Sequence, residues 1–123
     1  MKFFRCETCG NLVAMIEESG VPMVCCGNKM TELIPGTTDG AAEKHLPVFR
    51  TDGTGVTVEV GSTAHPMTEV HFIEWIALET ANGLQLKKLT PEEKPYAEFS
   101  LTAGESVKAV YAYCNIHGLW KTE

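Results

Sequence analysis

Nine side chains carry the chemistry available to this sequence: Cys6, Cys9, Cys25, Cys26 and Cys114, with His45, His65, His71 and His117. They are all of its cysteines and histidines, and they segregate. Four cysteines and no histidine fall in residues 1–35, and the four histidines and Cys114 fall in 41–123. Five cysteines cannot all pair within one chain, and such a set in a reducing compartment binds metal or does redox chemistry more often than it forms disulfides. Cys6-Glu7-Thr8-Cys9-Gly10 reads as a metal knuckle. Two residues between thiolates let the chain curl so that both sulfurs face one ion, and Gly10 relaxes the backbone so that nearby N–H groups can point at sulfur. Cys25-Cys26 supplies a second pair, and four thiolates in a tetrahedron suit zinc or a single iron. A structural zinc ribbon is the plain alternative. Against it, ribbons use Cys-x-x-Cys twice, whereas adjacent cysteines tend to point apart and meet one ion only from a strained backbone. A thioredoxin-like dithiol at Cys6 and Cys9 would need a βαβ context, which is absent.

The second set is Glu43-Lys44-His45-Leu46-Pro47, His65-Pro66-Met67, His71 and Cys114-Asn115-Ile116-His117-Gly118. A lone histidine in a strand is usually a packed or exposed residue. Four histidines and a cysteine, most of them beside Pro or Gly, are a stronger signal, because loops at one end of a β-sandwich can gather them. Four imidazoles and one thiolate are five ligands, more than a closed zinc site uses, and they leave an octahedral ion one open position. Imidazole suits iron, and a thiolate opposite an open site pushes electron density toward whatever binds there. A blue-copper site would leave two histidines unused, and Cys114 as a nucleophile with His117 as base would leave three.

The elements that must position these residues read as β. Val56, Val58 and Val60 alternate with polar neighbours; Ala97, Phe99 and Leu101 share one face, as do Val107, Ala109, Tyr111 and Tyr113. Residues 70–81 are ambiguous between helix and strand, and Asn82-Gly83, a favoured hairpin turn with both residues at positive φ, decides for a strand returning through Leu84-Gln85-Leu86. The expected architecture is a small metal-bound N-terminal domain over residues 1–36 and an immunoglobulin-like β-sandwich over 37–123, joined by the turn formers Pro35–Gly40. A unit of about 35 residues lies below the ~40 at which an apolar core usually suffices, so it needs a metal, disulfides or a partner.

Composition excludes several classes. With 44% hydrophobic and 21% charged residues among 123, the chain is neither disordered nor short of core. Ten Lys and Arg against sixteen Asp and Glu give a net charge of −6, without a basic block for nucleic acid or an anionic membrane. No apolar run nears the ~20 residues of a membrane helix. Arg5 and Glu7 interrupt the apolar start of the chain, so a cytoplasmic location is expected.

Together these motifs resemble desulfoferrodoxin, the two-iron class of superoxide reductases, over nearly the whole chain. Cys6-x-x-Cys9 with Cys25-Cys26 is similar to its desulforedoxin-like domain. Glu43-Lys44-His45-x-Pro47, His65-Pro66-Met67, His71 and Cys114-Asn115-x-His117-Gly118 are similar, in order and spacing, to its catalytic domain. The resemblance implies two mononuclear irons, with zinc an alternative occupant of the four-cysteine site. It places His45, His65, His71 and His117 in the equatorial plane of the second iron, Cys114 on its axis, Glu43 able to fill the sixth position in the oxidised state, and Lys44 beside the open site. It further implies one-electron reduction of superoxide to hydrogen peroxide, a rubredoxin-type electron donor and a homodimer. The competing class is a non-catalytic electron-transfer or redox-sensing protein.

Overall fold

The computed structural model describes residues 1–123, and the chain divides into two compact units, Met1–Ile34 and Pro35–Glu123. In the first unit, β1 (Lys2–Arg5) pairs antiparallel with β2 (Leu12–Met15) on one side and β5 (Thr31–Glu32) on the other. A second small ribbon is the hairpin of β3 (Val24–Cys25) and β4 (Asn28–Lys29). Only Phe3, Cys6 and Met30 among this unit's apolar residues are buried, while Ile16, Val21 and Val24 are exposed.

The second unit is a seven-stranded sandwich. One sheet has the order β10–β7–β6, from Tyr96–Ser100, Gly55–Val60 and Pro47–Asp52. The other has the order β12–β11–β8–β9, from Gly118–Thr122, Ala109–Cys114, Ile73–Glu79 and Leu84–Lys88. A single helical turn, α1 (Ala42–His45), leads into β6. Val56, Val58, Val60, Ala97, Phe99 and Leu101 meet Ile76, Leu78, Val110, Ala112 and Cys114 between the sheets, so the inward side chains of both layers form one core. Gln85 Nε2 donates to the Ser100 carbonyl at 2.9 Å and Lys87 Nζ to that of Glu98, tying the outer strands β9 and β10 together at one side of the sandwich.

Three local expectations change. Residues 106–108 lie outside β11, and although Ala109, Tyr111 and Tyr113 do share a face, it is the even positions Val110, Ala112 and Cys114 that enter the core cluster. Both faces of β11 are buried, so its alternation carries no polar phase to read. The β8–β9 hairpin forms, but neither Asn82 nor Gly83 takes a positive φ. The Thr80 N–H donates to the Gly83 carbonyl at 2.9 Å, which centres the turn on Ala81-Asn82, and Thr80 Oγ1 accepts the Asn82 N–H at 3.4 Å. A threonine side chain thus does locally what positive φ was expected to do. Finally, Pro35–Gly40 is not a free connector. The Gly36 N–H donates to the Leu119 carbonyl at 2.9 Å and Thr38 Oγ1 to that of His117, so the segment is part of the second unit.

Candidate metal centres

The four N-terminal cysteines converge from two turns, with all four sulfurs within 4.8 Å of one another. In the first turn the Gly10 N–H donates to the Cys6 carbonyl at 2.9 Å, and Gly10 takes φ +81°. This curl aims the Cys9 N–H at Cys6 Sγ (3.4 Å) and the Asn11 N–H at Cys9 Sγ (3.5 Å). In the second turn Cys25 pairs with Asn28, so Cys26 and Gly27 are the two central residues of the β3–β4 hairpin, at φ +53° and +78°. Positive φ at both positions is the signature of a type I′ turn. The expected backbone strain of an adjacent cysteine pair therefore falls on Cys26, the one non-glycine residue of the chain at positive φ.

Separations of 3.6 Å for Cys9–Cys25 and 4.0 Å for Cys25–Cys26 bracket the sulfur–sulfur edge of about 3.8 Å that bonds of about 2.3 Å give in a tetrahedron. The proton affinities point the same way. The Cys9 N–H draws the Cys6 thiol down to about 6, whereas hydrogen bonding to Cys9, and next to Cys6, pushes Cys26 up to about 12. Four sulfurs this close become thiolates together only around a cation. The donor set fits iron or zinc equally.

The second cluster is drawn from four segments. His45 ends α1, His65 and His71 sit in the β7–β8 connection, Cys114 ends β11, and His117 lies in the β11–β12 turn. Their five ligand atoms lie within 4.8 Å of one another. The imidazoles form a four-sided ring in the order His45, His65, His71, His117, with adjacent centroids 4.7, 4.6, 5.1 and 4.8 Å apart and the His45–His71 diagonal 6.4 Å. Each adjacent pair is edge-on, at interplanar angles of 71–83°.

Carbonyls set the tautomers. His45 Nδ1 donates to the Ala41 carbonyl at 2.7 Å and His65 Nδ1 to that of Pro66 at 2.6 Å; a carbonyl only accepts, so both Nε2 atoms present lone pairs. Those two Nε2 atoms face each other at 3.2 Å, and His117 Nδ1 lies 3.0 Å from His45 Nε2. Buried His71 Nε2 has no hydrogen-bond partner at all. A second proton is opposed at His45, His65 and His71 chiefly by burial and then by mutual repulsion among the imidazoles, with His65 brought down to about 4. Inward-facing lone pairs about 3 Å apart repel unless a cation lies between them, and bonds of about 2.1 Å at right angles give this spacing. The residues fit an octahedral iron with one position left over.

Cys114 is fully buried; burial pushes its thiol up, and the N–H groups of His117 (3.4 Å from Sγ) and Ile116 oppose that shift. Glu43 and Lys44 are exposed on α1, and the Glu43 carboxylate stays outside the five-atom cluster. The Glu43 carbonyl accepts from the Thr63 N–H (2.9 Å) and Ser62 Oγ (3.2 Å), fixing α1 to the connection that carries His65. Gly61 makes this approach practicable: a Cβ there would lie 2.6 Å from the Glu43 oxygen.

Sequence reasoning missed two supporting residues. Asn115 Oδ1 accepts the Phe72 N–H (3.0 Å), its Nδ2 donates to the Val70 carbonyl (3.1 Å), and its N–H donates to the Phe72 carbonyl (3.2 Å). It staples the segment of His71 to the turn of Cys114 and His117. Trp120 stacks on His45 and donates to the His117 carbonyl. The place of Asn115 inside the Cys-Asn-x-His-Gly run was the available signal; Trp120 had none.

The desulfoferrodoxin family model matches residues 37–123 and the model of the desulfoferrodoxin N-terminal domain matches residues 1–33. Desulfoferrodoxin of Nitratidesulfovibrio vulgaris is 46% identical over 99% of this chain and 95% of its own. A superoxide reductase of Pyrococcus horikoshii is 37% identical over 69% of this chain and 89% of its own. The crystal structure of the superoxide reductase from Treponema pallidum superposes with a TM-score of 0.84 at 39% identity, covering 99% of this chain and 98% of that one. The chain belongs to the desulfoferrodoxin family.

Proposed function

We propose that this protein is a superoxide reductase that converts superoxide, one electron and two protons into hydrogen peroxide at the cluster of His45, His65, His71, His117 and Cys114. The observation that carries the reading is the convergence of three Nε2 atoms and one Nδ1 beside a buried thiol, two of those Nε2 atoms with their lone pairs turned inward. These five residues would hold an iron ion, which as iron(II) would supply the electron that superoxide takes up. The chain's own residues do the rest. The Ala41 and Pro66 carbonyls hold protons on the Nδ1 atoms and so aim the Nε2 atoms of His45 and His65 inward, while burial keeps both rings neutral. Cys114 would donate charge to the bound iron, and the N–H groups directed at its sulfur would temper that donation.

Lys44 counters the repulsion that a chain of net charge −6 exerts on an anion. Its charge is felt by His45 and His71, where it adds to burial and histidine repulsion in disfavouring a further proton. A cation beside the mouth can outweigh a screened global field. Glu43 would be the carboxylate able to serve as a further ligand to the oxidised iron. Cys6, Cys9, Cys25 and Cys26 hold the other iron, or zinc in its place. The first domain covers residues 1–36 and the catalytic domain 37–123. A small rubredoxin-type carrier donates electrons, and the protein works as a cytoplasmic homodimer; no helix is long and apolar enough to cross a membrane.

Pulse-generated superoxide mixed with the reduced protein tests this. One hydrogen peroxide per superoxide consumed is expected. One per two would indicate dismutation, and no acceleration would indicate an electron carrier without catalysis.

A further inference from the structure

Trp120 is a buried indole that touches two of the four histidines by two different means. Its ring stacks on the imidazole of His45 with centroids 5.0 Å apart and planes 26° from parallel. Its Nε1–H donates at 3.0 Å to the carbonyl of His117. The same carbonyl accepts from Thr38 Oγ1, which fixes the backbone from which the His117 ring projects. Gly40 abuts both the indole and the His117 ring. A Cβ at Gly40 would lie 3.1 Å from Trp120 Cζ2 and 3.3 Å from His117 Cβ, so no larger residue fits there without displacing one of them. The strand register supplies the placement: Trp120 pairs with Ala112, two residues from Cys114, which puts the indole on the face that carries the cluster.

We propose that Trp120 is a positioning residue for this centre, setting the plane of His45 through its ring and the direction of His117 through its N–H. This rests on the metal-binding reading of the five residues. The face of an indole is electronegative, and an imidazole bound to a cation carries positive charge, so the stack strengthens when iron occupies the site and strengthens further when the iron is oxidised. The indole therefore does two things. It holds two adjacent corners of the histidine ring, His45 and His117, at the spacing an octahedral ion requires, and it favours the oxidised state, keeping the midpoint potential lower than the five ligands alone would set it.

Two variants of the full-length, iron-loaded protein test the assignment. Trp120→Leu removes both contacts. Loss of iron to a chelator should accelerate about 10- to 100-fold, the usual effect of removing a group that orients a ligand. The midpoint potential should rise, and the sulfur-to-iron charge-transfer band should shift. Trp120→Phe keeps an aromatic face against His45 but not the N–H; its potential should stay at the native value while its iron loss is intermediate. Trp120→Phe is also the recourse should Trp120→Leu not fold, since it keeps a ring in the same space and loses only the N–H. Native-like potential, band and iron loss in Trp120→Leu, a Trp120→Phe potential equal to that of Trp120→Leu, or native iron loss in Trp120→Phe would each overturn the role. A native protein that shows no charge-transfer band would instead overturn the metal reading beneath it.

Discussion

The two clusters solve one problem, holding lone pairs together around a cation, with opposite resources. The four-cysteine cluster takes its ligands from two short turns within 21 residues, leaves Cys9 and Cys26 exposed, and sits in a unit of which only three apolar side chains are buried. The histidine cluster gathers ligands up to 72 residues apart in sequence, and buries His45, His65 and Cys114 at the end of a packed sandwich. A local site can be built by backbone curl alone, but little besides the metal then holds the fold. A site assembled from distant segments needs a core that exists without the metal, and it gains rigidity, burial and a free coordination position. The first arrangement suits an exposed redox or structural ion, and the second suits catalysis.

The sharpest break of this contrast is Cys114→Ser. It should abolish superoxide reduction and the charge-transfer band together while the sandwich stays folded, as read from far-ultraviolet dichroism and amide exchange. An alcohol at that position is rarely deprotonated at neutral pH and donates far less charge than a thiolate. Loss of the sandwich itself would mean that the core depends on its metal after all. Cys9→Ser probes the other side. The four-thiolate spectrum should vanish and amide protection in β1, β2 and β5 should collapse, because the first unit lacks a core of its own. Superoxide consumption by the pre-reduced catalytic centre should remain close to native. A dead catalytic centre that still holds reduced iron would refute the division of labour.

Asn115→Ala should have the next effect. It removes two of the three bonds that tie the His71 segment to the Cys114 turn, and iron affinity should fall about 10- to 100-fold, measured by chelator competition. Lys44→Ala should slow the second-order reaction with superoxide about tenfold, roughly 1.4 kcal/mol in barrier. Its rate should also depend less on salt, since an exposed charge acts over about 8 Å at physiological ionic strength. The smallest effect is expected for Glu43→Ala, whose encounter rate should be unchanged or slightly faster while the spectrum of the oxidised protein changes.

The ligands were legible because metal chemistry restricts residue types, and Cys-x-x-Cys, Cys-Cys and Cys-Asn-x-His-Gly are local strings. The alternation of Val56, Val58 and Val60 was legible because one side of β7 is partly exposed. The facing of β11 was not, since a strand buried on both sides offers no polar phase. Nor was the centre of the β8–β9 turn, where a threonine side chain replaced a backbone preference, or the tethering of 35–40, where an exposed run of turn-forming residues is held by hydrogen bonds to the Leu119 and His117 carbonyls. Trp120 was invisible for a different reason. Its partners, His45 and the His117 carbonyl, are defined only by strand pairing and by the closure of the sandwich end.

The hairpin at Cys26-Gly27 makes one position answer to two incompatible demands. A turn of this hand is best served by asparagine or glycine at its first central residue, and a tetrahedral ion wants a thiolate there. With the ion bound, coordination would help hold the backbone in the left-handed basin; without it, only the β3–β4 pairing and the Asn28 Nδ2 bond to the Cys26 carbonyl do so. Demetallation should therefore begin at this corner, with Cys26 flipping out first and the β3–β4 ribbon opening like a latch. An asparagine in its place would keep the latch shut while leaving the ion with three sulfurs.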